Sequence, residues 1–307
     1  DWLRRGMDHL EALHAQKKGL GHFSYMRIGV LMAYDWLYHD LPEAERRKLG
    51  RRLFDHIEKI NTEGPYRPDH AGGFPQGGFY GINNLYWFAG LTFHGEGIDD
   101  ARAKRYLLRG YGDYQTMAAK RAEIAGDDGG MNTAVIGYAF GAYPRAEWNF
   151  LHTFHSAIGE NRAGMFDYLG LFPNWIAWML IRGEDGFYHW GTGDSQNWVN
   201  RVGNLQDYHL RQIRYFWGQA RPNYARVAQH LMDINPSDSR GTYFWGELYP
   251  LLLPAPPKRV APLAPNERWP HARYFEGLGQ IYMRSAFEPE ATYAVFLAGG
   301  KATQHKH

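Results

Sequence analysis

Apolar residues recur at helical spacing over most of the chain. Leu3, Met7, Leu10 and Leu13 fall three or four positions apart, which sets them on one face of a helix. A second apolar stretch runs from Phe23 to Leu37. Leu41-Pro42-Glu43 opens a third helix, with proline at an early position and acids in the first turn, and Leu49, Leu53, Ile57 and Ile60 form its apolar face. Further helical patterns cover about 80–93, 99–122, 133–158, 163–181, 204–217, 221–233 and 240–252. The joints are rich in Gly, Asp and Pro, as in Gly72-Gly73-Phe74-Pro75 and Asp127-Asp128-Gly129-Gly130. Many helices joined by short and medium loops predict an antiparallel array, closed as a toroid or open as a solenoid. The absence of a strict repeat of about 34 or 40 residues weighs against the solenoid.

The pattern breaks after residue 252. Pro254, Pro256, Pro257, Pro262, Pro265 and Pro270 mark an extended linker or surface strap over 253–270. Beyond it the period becomes alternating: Ile281 and Met283, then Tyr293, Val295 and Leu297, point to one side of short strands, and Pro289 and Gly299-Gly300 mark turns. The expected fold is therefore α+β and multidomain. An (α/α) toroid over 1–252 carries the catalytic residues, and the first strands of an antiparallel β-sandwich begin at 271–307. The helical start at Asp1-Trp2-Leu3 and the strand-like finish suggest a segment of a longer polypeptide.

Composition narrows the function classes. At 307 residues the chain exceeds what one hydrophobic core usually organises, about 250–300 residues. The net charge of +2 gives no electrostatic case for nucleic acid. No apolar run approaches the ~20 residues a membrane helix needs. With no cysteine, disulfides, thiolate metal sites and cysteine nucleophiles are excluded. Aromatic residues make up 16% of the chain, with 11 Trp and 21 Tyr. Their faces stack on sugar rings and their polar tips bond hydroxyls, although a large aromatic core would use them equally well.

Five stretches hold candidate chemistry. In Gly77-Gly78-Phe79-Tyr80-Gly81-Ile82-Asn83-Asn84-Leu85-Tyr86-Trp87, a glycine-rich loop enters a helix whose start holds two asparagines. One of them suits a helix cap; Asn84 or Asn83 would also offer amide N–H groups to a carboxylate beside the positive helix end, with Tyr80 and Trp87 near the substrate. Asp127-Asp128-Gly129-Gly130 forms a tight turn ahead of Gly137-Tyr138. Asn149, His152 and His155 share one helix face; without a His-Glu-x-x-His pattern they suit a polar stripe lining a cleft better than a zinc site. In Asp185-Gly186-Phe187-Tyr188-His189-Trp190, the aromatics Tyr188 and Trp190 suit either a sugar-stacking loop or an ordinary aromatic one. In the terminal Gln304-His305-Lys306-His307, strand alternation puts His305 and His307 on one face.

The run Gly299-Gly300-Lys301-Ala302-Thr303-Gln304-His305-Lys306-His307 resembles the His-x-His strand of heparinase II/III-like polysaccharide lyases. The Asp-Gly-Gly turn before Gly137-Tyr138 looks like that family's approach to its catalytic tyrosine, and Asn83-Asn84 looks like its carboxylate-binding asparagine. The order Asn, Tyr, His agrees with the family, as does the 138 − 84 = 54 residue separation. The Glu that many relatives carry after the Asp-Gly step is missing. The resemblance implies β-elimination from a uronic-acid polysaccharide. Asn84, with a nearby His, would neutralise the uronate carboxylate, Tyr138 would act as acid and base, and His305 would assist. Asn83, Tyr80, Trp87, Asn149, His152, Tyr188 and Trp190 would bind the acidic polysaccharide. His307 would ligate one structural divalent metal, with zinc favoured, and no organic cofactor is implied. The same resemblance implies a periplasmic or secreted location. Two other classes stay open: a glycoside hydrolase built on paired carboxylates, for which Asp127, Asp128, Glu147, Asp185 and Asp194 are available, and a non-catalytic glycan-binding protein. Tyr188 and Tyr208 remain alternatives to Tyr138 as acid and base.

Overall fold

A computed structural model describes residues 1–15, 25–63, 84–130, 144–184, 186–189, 200–201, 209–234, 258–263 and 269–297. These residues are mostly helical, with two small antiparallel sheets, which agrees with the α+β class read from the sequence. The chain divides into two compact units, residues 1–120 and 121–307.

The first unit holds α1 (Trp2–Ala15), α2 (Tyr25–Trp36), α3 (Glu43–Glu63), α4 (Leu85–Phe93) and most of α5 (Asp100–Ala125). Leu3, Met7 and Leu10 of α1 are buried, as are Leu49, Leu53, Ile57 and Ile60 of α3, so the periodicity identified the core faces correctly. Helix α4 is apolar on nearly every side, with Leu85, Trp87, Phe88 and Phe93 buried, the mark of a central helix. Phe93 stacks on Phe54 at 4.5 Å and tilts against Tyr34 at 5.5 Å. Helices α4 and α5 cross at backbone contact. A Cβ on Gly110 would lie 2.5 Å from the Trp87 nitrogen, and one on Gly90 would lie 2.7 Å from the Leu107 nitrogen.

The second unit begins with the last turn of α5 and a 3-10 turn, Gly126–Asp128. It continues through α6 (Arg145–Ile158), the single-turn α7 (Asp167–Gly170) and α8 (Phe172–Met179). A three-stranded sheet follows, β1 (Ile181–Gly183), β2 (Gly186–His189) and β3 (Asn200–Arg201), all antiparallel. Then come α9 (Arg211–Trp217), α10 (Pro222–Ile234) and a second antiparallel meander, β4 (Ala272–Phe275), β5 (Gln280–Arg284) and β6 (Tyr293–Leu297). The first sheet lies where only helices and loops were expected. Its strands run for two to four residues, too short for a period-2 pattern to stand out.

The Pro-rich segment is a strap where it is described. Leu263 N donates to Arg226 O at 3.1 Å, Arg226 Nε to Ala261 O at 3.2 Å, and Arg259 pairs with Asp233 at 2.8 Å, so residues 258–263 run along α10. The meander beyond the strap falls in the same compact unit as α6–α10. Its inner face explains why. Trp175 Nε1 on α8 donates to Gln280 Oε1 at 3.1 Å, Arg284 Nη2 donates to the carbonyls of Trp178 and Leu180 at 2.7 and 3.0 Å, and Tyr293 OH donates to Met179 O at 3.1 Å. The sheet thus satisfies the carbonyls left open at the end of α8.

Ile281 and Met283 of β5 face outward, opposite the side that Tyr293, Val295 and Leu297 of β6 share with Gln280, Tyr282 and Arg284, whereas the alternation had put all five on one side. Gln280, Tyr282 and Arg284 are buried, while Ile281 and Met283 lie on the opposite face. The register puts Ala272, Met283 and Ala294 on that outer face, together with Tyr274, Ile281 and Phe296. Tyr274, Met283 and Phe296 are 54%, 41% and 58% exposed. The polar inner face is stable because its groups find the α8 carbonyls and each other.

Candidate functional site

In the first unit, Asn84 is the N-cap of α4. Its Oδ1 accepts from Trp87 N at 3.0 Å, and its Nδ2 donates to Gly110 O at 2.7 Å. The amide is thereby fixed at both ends on the close crossing of α4 and α5. Its second N–H has no acceptor among the described residues. The capping role anticipated for one of the two asparagines belongs to Asn84; Asn83 and Tyr80 lie outside the described residues. Trp87 was read as a substrate-binding aromatic. It is 2% exposed and packs edge-on against Tyr114 at 6.2 Å, so it serves the core. Its position on the buried side of an all-apolar helix accounts for the difference.

In the second unit, the turn that leads toward Tyr138 is held on every side. Gly129 and Gly130 have φ of 83° and 113°, which favour glycine. A Cβ on Gly129 would lie 2.7 Å from Leu171 O, and one on Gly130 would collide with Leu278. Asp128 forms an ion pair with Arg273 on β4. Gly277, in the β4–β5 connection, lies against the carbonyl of Ile124 at the end of α5. The Asp-Gly-Gly turn is therefore anchored on the meander whose last described strand, β6, runs toward Gly299 and the His-x-His stretch. Tyr138, His305 and His307 themselves lie outside the described residues.

A buried polar cluster sits just before and just after this segment. Arg121, on the last turns of α5, donates to Glu147 Oε1 at 2.5 Å, and Tyr168 OH donates to the same oxygen at 2.6 Å. Side-chain exposure of Arg121 and Glu147 is 1% and 0%. Burial, reinforced by the Glu147 carboxylate, pushes the Tyr168 hydroxyl well above the ordinary tyrosine range. Sequence reasoning missed Arg121 and Tyr168, because a charged residue inside a long helical pattern reads as surface.

The stripe of Asn149, His152 and His155 does share one face of α6, but that face meets α9. His152 is 7% exposed and its Nε2 lies 2.6 Å from Gln212 Oε1. Burial holds its imidazole at about 4, partly offset by the Gln212 hydrogen bond. Tyr215 OH lies 3.1 Å from His155 Nε2. His152 therefore packs between helices instead of lining an open cleft, a contact that i, i+3 spacing cannot foresee. Asn149 is half-buried. Nearby, Trp148 Nε1 donates to Nδ1 of the buried His209 at 3.4 Å. Tyr188 is on β2, half-buried and paired in register with Arg201, so part of the supposed aromatic loop is strand. Trp190 and Tyr208 lie outside the described residues.

A scan against protein-family models finds no match, and a search of curated proteins finds no significant relative. Among the described residues no three or more His, Asp or Glu side chains gather as a metal site, and His307 lies outside them. No helix among them is long and apolar enough to cross a membrane.

Proposed function

We propose that the protein is a polysaccharide lyase that cleaves an acidic, uronate-containing polysaccharide by β-elimination, using a helical toroid and a β-sandwich. The observation that carries this reading is the anchoring of the Asp128-Gly129-Gly130 turn on the β4–β5 meander through Arg273. The turn leads into the stretch bearing Tyr138, and the meander leads into the stretch bearing His305, so their roots are joined within one unit. The sandwich reading has its own support. The outer face of β4–β6 carries Tyr274, Ile281, Met283 and Phe296 without a polar neighbour on that face, and a second sheet is the natural cover for such a surface.

In this proposal the substrate's carboxylate is neutralised by Asn84, whose remaining N–H is held in a set direction by the cap and by Gly110. A donor fixed before the reaction stabilises the enolate-like charge without reorganising. The Tyr138 phenolate removes the C5 proton. The electron pair forms the C4–C5 double bond, the C4–O4 bond breaks, and the departing oxygen takes a proton, which Tyr138 then supplies. A tyrosine with an ordinary pKa of about 10 needs a donor or cation beside it to act so; His305 takes that part. Secretion or a periplasmic location belongs to the same reading.

A hydrolase would need two carboxylates flanking the bond, and of the five considered Asp128 is engaged with Arg273, and Glu147 with Arg121 and Tyr168. Ultraviolet absorbance of unsaturated uronate products, across a panel of uronate polymers, tests the proposal. Tyr138→Phe is expected to slow product formation by roughly 10²–10⁴-fold with folding intact. Near-normal activity in a folded variant would show that Tyr138 is the wrong tyrosine, and saturated products from the unchanged protein would show the reaction is hydrolysis.

A further inference from the structure

Helices α1, α2 and α3 meet around His56. Contacts between α1 and α3 advance in step along both helices. Arg4 pairs with Glu45, Arg52 pairs with Asp8 at 2.7 Å and with Glu11 at 2.6 Å, and the His14 ring meets the His56 ring edge-on at 5.8 Å. His56 is 6% exposed, and its Nε2 is buried with no hydrogen-bond partner among the described residues. Arg27, on α2, is fully buried and places its charge near the same imidazole.

The charged and titratable groups that face His56 come from all three helices: Glu11 and His14 from α1, Arg27 from α2, and Lys59 from α3 itself. Glu11 is the acid of that set, and the Arg52 fork already holds both of its oxygens at 2.6 Å. A proton on His56 therefore creates a cation out of water, near Arg27, with its neighbouring carboxylate committed elsewhere. Burial, then Arg27 and His14, hold the imidazole at about 4, with Glu11 opposing.

We propose that this contact is an acid-released latch: it docks the last turns of α1 on α3 while His56 is neutral and frees them when His56 takes up a proton. The latch is independent of the elimination chemistry proposed above. An imidazole released from the contact regains water and titrates near 6.5, so the opened form binds a proton that the closed form refuses. Closure is at full strength above pH about 6.5, weakens from there to about 4, and levels off below. At pH about 5 the opened population should stand about 30-fold above its value at neutral pH. The ion pairs nearer the start of α1 contain no histidine, so the opening is local to the end that holds His14.

Amide hydrogen exchange of the whole chain, corrected for the intrinsic pH dependence of exchange, reads this opening. Protection of the amides of residues 10–14 is expected to fall about 30-fold between pH about 7.5 and about 5. The fall should vanish in His56→Asn and persist in His152→Asn, whose substitution lies in the other unit. Proton NMR of the His56 ring in the unchanged protein gives a second measurement that needs no variant: the ring should stay neutral down to pH about 5. Protection of residues 10–14 that ignores pH, or the same fall in a folded His56→Asn protein, would overturn the proposal. So would a His56 ring that titrates near 6.5 in the folded chain. Equal loss of the pH response in His56→Asn and His152→Asn would also overturn it, because the opening would then be global.

Discussion

Glu147→Gln is the perturbation whose outcome the structure fixes most closely. The substitution keeps the shape and an acceptor for Tyr168, and removes only the negative charge. What remains is the Arg121 guanidinium, 1% exposed, facing a carboxamide in place of a carboxylate. Breaking a buried pair by removing one partner costs about 3–5 kcal/mol, because a buried charge loses its counter-charge. Against a total stability of about 5–15 kcal/mol, that is a large fraction. The paired replacement Arg121→Met with Glu147→Leu removes both charges and leaves a packed apolar site. It is expected to cost less than the single change. Tyr168→Phe removes one hydrogen bond to a charged acceptor, worth about 1.5–3 kcal/mol. Urea titration followed by circular dichroism gives the three values, provided the slope is unchanged. A Glu147→Gln protein within about 1 kcal/mol of the unchanged one, or a double variant as unstable as the single, would refute the reasoning.

Three further outcomes are expected. Asn84→Ala loses both the cap and the Gly110 bond, and should cost about 2 kcal/mol, whereas Asn84→Ser keeps a capping oxygen and should cost about half that; equal losses by chemical denaturation would contradict the cap assignment. His56 and His152 are both held at about 4, His56 by burial and then by Arg27 and His14, while an unfolded histidine titrates near 6.5. Between pH about 6.5 and about 4 the unfolded chain therefore binds protons that the folded chain refuses, so stability falls on acidification through that window and levels off below it. His152→Asn should shallow this slope, and a stability rising toward pH about 4 would reverse the argument. Gly110→Ala drives a methyl into the Trp87 backbone and should destabilise by about 1–3 kcal/mol, against the small gain that alanine normally brings to a helix; thermal unfolding decides the sign.

Helix positions were legible because burial of a helix face needs only a periodic apolar stripe, a local property of sequence. The faces of α1 and α3 were readable on those terms. Asn84 as a cap was legible too, since its neighbour relation spans three residues. What the sequence could not determine depended on which surfaces meet. Only the tertiary structure put Trp87 in the core, turned the His152 stripe against α9, and buried Gln280 and Arg284 while leaving Ile281 and Met283 outside. In each case a polar group is buried because a partner distant in sequence satisfies it: Gln212 for His152, Trp175 for Gln280, the end of α8 for Arg284. Hydrophobic pattern records the affinity of a side chain for water, and only the fold supplies the partner that makes burying a polar one favourable.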